Sequence, residues 1–220
     1  AGVDADGNLI AWDAARAGAD ISPDTFRSLL PALYSWMGDG MIEGVANLSE
    51  WYFEKFATDE SSTEGLFEDY DHPNTRVTHM TVDHELPMTF WRSVGHSYTA
   101  FAKESMIDEM AEAAGMDEVA FRVQNTQNSP RLNNVIRVAG EHMAKMNPPE
   151  GHHLGFAAHH SFYTDVAEIA EVSVENGKIR VHKVTCVLDC GQAVNPDIVR
   201  SQIEGGVIYG LTATLYGGLN

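Results

Sequence analysis

The chain has 220 residues, of which 44% are hydrophobic and 21% are charged, a composition typical of a folded globular protein rather than a disordered one. Its 32 acidic and 14 basic residues give a net charge of −18, which excludes a nucleic acid as the expected partner because phosphate binding requires a clustered basic face. No apolar run approaches the roughly 18 residues that a membrane-spanning helix needs. The sequence therefore predicts no membrane span.

The first part of the chain carries few regular patterns. A turn-forming cluster from Asp4 to Asn8 predicts a β-hairpin over residues 1–20. The sequence Ser22-Pro23-Asp24 predicts a short helix through Leu30, because proline suits the first helical turn. The acidic, Ser/Thr-rich stretch 57–71 predicts a surface loop, and residues 21–70 as a whole are expected to be irregular or an inserted segment.

The middle of the chain predicts one strand and three helices. Alternation from Thr75 to Val82 indicates the strand. Apolar spacing predicts a helix from Ser97, an ordinary N-cap, to Ala114, with Gly115 ending it. A second helix is expected from Asp117 to Gln124 with Asp117 as its cap, and a third from Pro130 to Met146.

The last third changes to strand patterns and ends in a helix. Strands are predicted over Leu154–His160, Val166–Val174 and Ile179–Leu188, with Asn176-Gly177 as the hairpin turn between the last two. A long helix is predicted from Asn195-Pro196 onward. The expected fold class is α+β, an antiparallel or mixed sheet packed by amphipathic helices.

Composition and pattern divide the chain into three predicted parts. These are an N-terminal hairpin with an irregular segment (1–74), a helical segment (75–150), and a β-meander with the closing helix (151–220).

The closing helix has an unusual number of glycines. Gly205, Gly206 and Gly210 would each cost roughly 1 kcal/mol relative to alanine inside a helix. Such glycines indicate that another helix, a strand or a cofactor approaches the backbone, and packing is the default explanation. Just before this helix, Asp189 is a candidate catalytic carboxylate, although a carboxylate placed there more often caps the helix.

Histidines and cysteines give no metal site. Adjacent histidines such as His152-His153 and His159-His160 face opposite sides of a strand, so neither pair can present both rings to one ion. Cys186 and Cys190 lie on one face but too far apart for a disulfide, so two buried free thiols are expected.

The stretch Phe90 to Ser97, FWRSVGHS, lies just before a predicted helix. An arginine, a glycine and hydroxyl groups at a helix N-terminus suit an anion or a polar cofactor. Ser97 could equally be an ordinary N-cap and Trp91 an ordinary core residue. The sequence favours neither interpretation over the other.

Taken together, FWRSVGHSYTAFAKESMIDEMA and VLDCGQAVNPDIVRSQIEGGVIYGLTATLYGG resemble the molybdopterin-binding large subunit of the xanthine dehydrogenase and aldehyde oxidase family, in particular its isoquinoline 1-oxidoreductase-like branch. The connecting stretches AHHSFYTDVAEIAEVSV and IRVHKV are similar to that branch too. The resemblance runs from about Thr75 to the end of the chain and is weak over residues 21–70.

The resemblance implies which residues contact the cofactor. The first motif would pass beside the molybdenum site, with Arg92 as a donor to a cofactor or substrate oxygen, and the second would lie near the pterin. The implied cofactor-binding residues are Phe90, Trp91, Arg92, Gly95, Gln202, Gly205 and Gly206. It also implies that the family's catalytic glutamate and its GQG segment lie outside these 220 residues, so that this piece alone has no catalytic residue and is expected to be inactive.

For the whole protein, the resemblance implies a molybdenum hydroxylase that oxidises an N-heteroaromatic compound or an aldehyde with oxygen derived from water. The implied cofactor is molybdopterin with molybdenum, in the cytosine dinucleotide form. The implied partners are the rest of the large subunit, a small subunit with [2Fe-2S] clusters, a cytochrome c and a small-molecule substrate. A non-catalytic scaffold module is the alternative, and a zinc hydrolase ranks last. The compartment, periplasmic or cytoplasmic, is not predicted.

Overall fold

A computed structural model describes residues 1–67, 69–82 and 89–218. The contacts divide the chain into two compact units, unit 1 (Ala1–Met116) and unit 2 (Asp117–Asn220), and each is described by itself. The division into three parts inferred from the sequence stays a prediction. The observed fold class is α+β, as predicted.

A three-stranded mixed sheet opens unit 1. Strands β1 (Gly2–Val3) and β2 (Leu9–Gly18) form the predicted antiparallel hairpin, and Asp4 closes its turn by accepting the backbone N–H groups of Asp6 and Asn8. Strand β3 (Thr75–Thr81) pairs in parallel with β2. The strand predicted at Thr75–Val82 is thus confirmed.

Two helices occupy the segment that was predicted to be irregular. Helix α1 (Ile21–Leu33) is longer than expected, and helix α2 (Asp39–Lys55) was not predicted. Only Ile42 and Ala46 of α2 are buried, so its outward-facing apolar residues obscured the amphipathic pattern. Arg27 joins the two helices, because its Nη2 donates to Glu50 Oε2 at 2.9 Å, the contact that contributes most to raising the pKa of Arg27.

The stretch 57–71 is not a simple surface loop, and that prediction is wrong. It contains a 3-10 turn (Glu60–Ser62), and Asp59 at its start is only 2% exposed. One Asp59 carboxylate oxygen accepts the backbone N–H groups of Ile21 and Ser22, both at 2.9 Å, and the other accepts the Ser22 hydroxyl at 2.9 Å. This carboxylate therefore caps α1 from 38 residues away.

Helix α3 (His96–Ala114) ends at Gly115, which is left-handed (φ 65°), as predicted. Lys103 on this helix is 1% exposed and pairs with Asp69 Oδ2 at 2.5 Å. The neighbouring Glu104 accepts the Tyr70 hydroxyl at 2.8 Å. Buried charges are stable only when they are paired, so these contacts fix the 69–70 segment against α3.

Unit 2 is built on an antiparallel sheet in the order β4 (His152–Ser161), β5 (Thr164–Glu175), β6 (Lys178–Asp189), which confirms the three predicted strands. The Asn176-Gly177 turn has positive φ at both residues (54° and 74°), as its sequence predicts.

Helices α4 (Glu118–Gln124) and α5 (Pro130–Met143) precede the sheet. The predicted cap of α4 is confirmed, because Asp117 accepts the N–H groups of Val119 and Ala120. Helix α5 packs its apolar stripe on one face of the sheet. The resulting core consists of Leu132, Val135, Ile136, Ala139, Phe156, Ala158, Ala167 and Ile169.

The chain closes with helix α6 (Pro196–Tyr216), which confirms the helix predicted after Asn195. Over the residues that the structure describes, none of the helices has the length and apolar character needed to cross a membrane.

Candidate cofactor-binding site

Helix α6 is anchored at its start rather than along its length. The Asn195 side chain accepts the N–H groups of Asp197 (3.0 Å) and Ile198 (3.3 Å), and Pro196 occupies the first turn. All 21 residues of α6 are described, and none of them is buried. A helix this apolar without a buried residue leaves surface for a further binding partner.

No described residue lies close to the Cβ positions of the α6 glycines. A Cβ atom added at Gly205, Gly206 or Gly210 would meet no heavy atom of the described residues within 4 Å. Packing within the chain was the default expectation for these glycines, and the described residues supply no such contact. The backbone there is open to close approach by another group.

A groove separates the other side of α6 from strand β6. It has a volume of about 730 Å³, and its walls include Val199, Ile203 and Val207 from α6 with Val184 and Leu188 from β6. With 3.6 residues per helical turn, Gln202, Gly205 and Gly206 lie on the side of the helix turned away from this groove. The three α6 residues predicted to contact a cofactor therefore share one exposed side, distinct from the aliphatic side.

The turn between β6 and α6 is held by a bidentate ion pair. Arg131 donates from Nη2 to Asp189 Oδ1 (2.9 Å) and from Nε to Oδ2 (3.2 Å), and Gly191 N–H donates to Asp189 Oδ1 at 2.8 Å. The Arg131 contact, followed by that of Gly191, lowers the pKa of Asp189. The prediction that Asp189 caps α6 is wrong, since Asn195 does so, and a carboxylate held ionised by arginine is a poor proton acceptor.

In unit 1, the first motif forms a turn that leads into α3. Val94 N–H donates to Trp91 O at 3.0 Å, and Val94 itself has positive φ (50°). The Trp91 side chain is 50% exposed, Arg92 is exposed and Phe90 is half-buried. Trp91 and Arg92 are therefore in contact with solvent, and Phe90 is only partly so.

The predicted N-cap of α3 is wrong. The cap position is Gly95, which provides no side-chain hydrogen bond, and Ser97 lies inside the helix. The Ser97 hydroxyl is 2.7 Å from that of Ser93. Val94 has positive φ, and the helix is capped directly after it at Gly95, two residues before the cap predicted at Ser97.

Gly95 differs from the glycines of α6 because its own chain requires it. A Cβ atom at Gly95 would overlap the Ser61 carbonyl oxygen and lie 3.2 Å from Glu64 N. Nearby, the Tyr98 hydroxyl donates to Ser62 O at 2.7 Å and Thr99 Oγ1 to Glu64 O at 2.5 Å. Packing of α3 on the 61–64 segment accounts for this glycine, and its contact with a cofactor stays a prediction.

The histidines form a local pair that the sequence did not reveal. The rings of His152 and His182 stack with centroids 3.9 Å apart, and His152 Nδ1 lies 2.6 Å from Glu171 Oε1. A β-bulge between Glu171 and Val172 brings His182 into this position, and no spacing rule predicts it. Among the described residues, no group of three or more His, Cys, Asp or Glu side chains is arranged to hold a metal ion.

Both cysteines are free thiols, as predicted, but they are half-buried rather than buried. Burial, together with Glu168 Oε1 at 3.4 Å, raises the pKa of the Cys186 thiol to about 12. A thiol with so high a pKa is protonated at neutral pH and is not a nucleophile.

The comparisons with known proteins agree on one assignment. Residues 89–219 match a family model described as a molybdopterin cofactor-binding domain, and residues 50–126 match a second model with the same description. The chain is therefore a cofactor-binding domain. More specifically, it belongs to the molybdopterin cofactor-binding domain family, which confirms the resemblance carried by the two motifs.

Two curated relatives match over most of this chain. It is 31% identical over 178 residues to the beta subunit of isoquinoline 1-oxidoreductase from Brevundimonas diminuta, covering 78% of this chain and 23% of that protein. It is 30% identical over 166 residues to a nicotinate dehydrogenase subunit from Pseudomonas putida, covering 66% of this chain and 14% of that protein. The chain thus spans less than a quarter of the length of either relative.

Among solved structures, the aldehyde oxidoreductase of Desulfovibrio gigas matches with a TM-score of 0.42 and 18% identity. This match covers 82% of the present chain and 20% of the aldehyde oxidoreductase.

The exposed side of α6 fits a molybdopterin-type cofactor. Gly205 and Gly206 leave their backbone uncovered, and the exposed Gln202 carboxamide on the same side offers both donors and acceptors. The space that a side chain would take at Gly95 is already occupied by Ser61 and Glu64. Gln202, Gly205 and Gly206 therefore suit contact with a cofactor better than Gly95 does.

Proposed function

We propose that this chain is part of the molybdopterin-binding subunit of a molybdenum-dependent oxidoreductase. The observation that carries the proposal is the exposed glycine side of α6, which has no neighbour among the described residues and lies within the segment matched by the family model. In this proposal the bound molybdenum cofactor supplies two-electron redox chemistry. The chain itself binds and orients the cofactor.

The proposed roles of the residues follow from their chemistry. Gly205 and Gly206 let the cofactor approach the helix backbone, and Gln202 forms hydrogen bonds at its edge. Phe90 and Trp91 shape the substrate pocket, and the Arg92 guanidinium donates to an oxygen of the cofactor or substrate. The glutamate that acts as the base in such enzymes is proposed to lie outside these 220 residues.

The proposed reaction is hydroxylation of an N-heteroaromatic compound or an aldehyde with oxygen derived from water. The printed names of relatives support the heteroaromatic class, since they refer to isoquinoline, nicotinate and nicotine. We further propose the cytosine dinucleotide form of the cofactor, and [2Fe-2S] clusters on a smaller partner subunit that take the electrons onward to a cytochrome c. The relatives are themselves named as subunits, which supports an assembly of this kind.

Metal and pterin analysis of the intact protein that contains this sequence tests the proposal. We expect molybdenum by mass spectrometry and a fluorescent pterin derivative after oxidation, both in amounts comparable to the protein. Absence of both from protein expressed in a host that makes the cofactor would contradict the proposal and favour the non-catalytic scaffold alternative. Zinc in place of molybdenum would also contradict it.

A matched pair of variants tests the role of α6. Gly205→Leu would cover the exposed side of the helix and should strongly reduce molybdenum and pterin content. Gly44→Leu, at another helical glycine with open space around its Cβ position, should leave both unchanged. Equal cofactor content in the two variants would remove α6 from the proposed site.

A further inference from the structure

The side chain of Arg131 connects three segments at one end of unit 2. From the start of α5, its Nη2 lies 2.9 Å from Asp189 Oδ1, 3.0 Å from Asp189 O and 3.2 Å from Tyr163 O. The same atom lies 3.4 Å from Asp165 Oδ2. One guanidinium thus joins α5, the β4–β5 turn and the residue at which β6 ends.

The β4–β5 turn that Arg131 contacts has an unfavourable backbone. Phe162 and Tyr163 both have positive φ (47° and 64°), the geometry that two-residue hairpin turns usually reserve for Asn-Gly. Their side chains are 60% and 86% exposed, so burial does not compensate for the strain. The hydrogen bond from Arg131 to Tyr163 O helps to hold this turn in place.

Asp165, next to this turn, adds a buried negative charge. It is 3% exposed, and its Oδ1 lies 2.9 Å from His160 Nδ1. Arg131 therefore faces two carboxylates, one buried and one half-buried. Its positive charge lets both carboxylates lie at this end of the sheet.

Helix α6 depends on the segment that Arg131 holds. None of its residues is buried, so packing on unit 2 does little to fix its direction. The path into the helix begins at Asp189, whose carboxylate accepts both from Arg131 and from the backbone N–H of Gly191 (φ 71°). Loss of the Arg131 side chain would remove a hydrogen-bond donor from the Asp189 carboxylate. The 189–191 turn, which sets the direction of α6, would then be less constrained.

We propose that Arg131 is a positioning residue for the cofactor-facing helix, acting through Asp189 and the 189–191 turn. The inference rests on the proposed function for the role of α6, but not for the geometry of the contact itself. Arg131 is not proposed to touch cofactor or substrate.

Hydrogen exchange on the intact protein tests the geometric part. In Arg131→Ala, amides of residues 189–205 should exchange about tenfold faster, while those of residues 168–172, in the part of β5 away from the Arg131 contacts, should keep their wild-type rates. The exposed Arg137 on the same helix pairs with Glu141, so Arg137→Ala is the matched control and should change nothing in α6. Equal exchange of α6 in wild type and Arg131→Ala would overturn the inference.

A double-mutant cycle tests whether Arg131 acts through Asp189. Arg131→Ala with Asp189→Asn should deprotect α6 little more than either single variant, because both changes remove the same ion pair. Arg131→Lys should keep only part of the wild-type protection, since an ammonium group cannot form the bidentate contact. Additive deprotection in the double variant would count against an action through Asp189.

Cofactor measurements connect the inference to the site. Turnover per bound molybdenum should fall roughly tenfold to a hundredfold in Arg131→Ala, the loss expected when a cofactor wall is displaced by about 1 Å. Absence of molybdenum from the wild-type protein would refute the proposed function. The hydrogen-exchange result would still test whether Arg131 positions α6. A wild-type level of turnover per molybdenum in Arg131→Ala, with α6 deprotected, would refute only the link to the site.

Discussion

Gly95 and the glycine pair Gly205-Gly206 occur in the two motifs that carry the family resemblance, yet the structure gives them different reasons to be glycine. At Gly95 the chain's own Ser61 carbonyl occupies the space of a side chain. At Gly205 and Gly206 none of the residues that the structure describes occupies that space. A motif glycine next to a proposed cofactor site is therefore not by itself a cofactor contact. The neighbours in the fold decide between packing and binding.

The largest expected effect separates the two kinds of glycine by stability. Gly95→Ala should destabilise unit 1 by about 3 kcal/mol, the upper part of the range for overpacking, because the clash is with backbone rather than with a flexible side chain. Thermal unfolding followed by circular dichroism measures it. Gly44→Ala, at an open helical position of the same unit, is the control and should not destabilise. A wild-type melting temperature for Gly95→Ala would contradict the packing explanation.

The second prediction concerns the segment against which Gly95 packs. Asp59→Ala removes the buried carboxylate that caps α1 and holds Ser22 and Ser61, and it should cost about 2 kcal/mol. Chemical denaturation gives the value. Because Asp59 and Gly95 both act on the 59–64 segment, the double variant should be less destabilised than the sum of the two single variants. Strict additivity would show that the two residues are independent.

The third prediction is a stabilisation, in contrast to the two destabilisations above. Gly205→Ala and Gly206→Ala should each stabilise α6 by about 1 kcal/mol in this chain without cofactor, since alanine favours the helix and meets no neighbour among the described residues. Helix content and unfolding of the cofactor-free chain measure this gain. In the intact protein the same variants should weaken retention of molybdopterin during dialysis. Destabilisation of the cofactor-free chain would mean that α6 packs on residues of its own unit.

The fourth prediction concerns the reactivity of Cys186 in the groove between β6 and α6 and involves no change in stability. Cys186 lines the groove, and its pKa is raised to about 12, so very little thiolate exists at pH 8. Alkylation of Cys186 by iodoacetamide should be much slower than that of a free cysteine derivative, and its rate should rise about tenfold per pH unit between pH 8 and 10. A rate that levels off near pH 9 would show that the thiol is not desolvated beside Glu168.

Local signals in the sequence predicted most of unit 2. The periodicity of α5, the Asn176-Gly177 turn and the Asp117 cap all depend on residues within one or two turns of each other, and all three are confirmed. The resemblance of the two motifs also identified the family.

Long-range contacts account for what sequence reasoning missed. Asp59 caps a helix 38 residues away, and Arg131 binds Asp189 across 58 residues, so neither leaves a local pattern. Ser97 had the right residue type for a cap, but the positive φ of Val94 moved the helix start to His96. Helix α2 was missed because most of its apolar side chains are exposed.

The parallel pairing of β2 with β3 has a consequence for the order in which the protein folds. Gly18 and Thr81 are register partners, and both helices of the α1–α2 pair lie in the chain that connects these strands. Closing so long a loop costs entropy before any contact compensates for it, whereas both strand pairs of unit 2 are joined by two-residue turns. Unit 2 should therefore acquire its protected amides first in a refolding experiment, although unit 1 leaves the ribosome earlier.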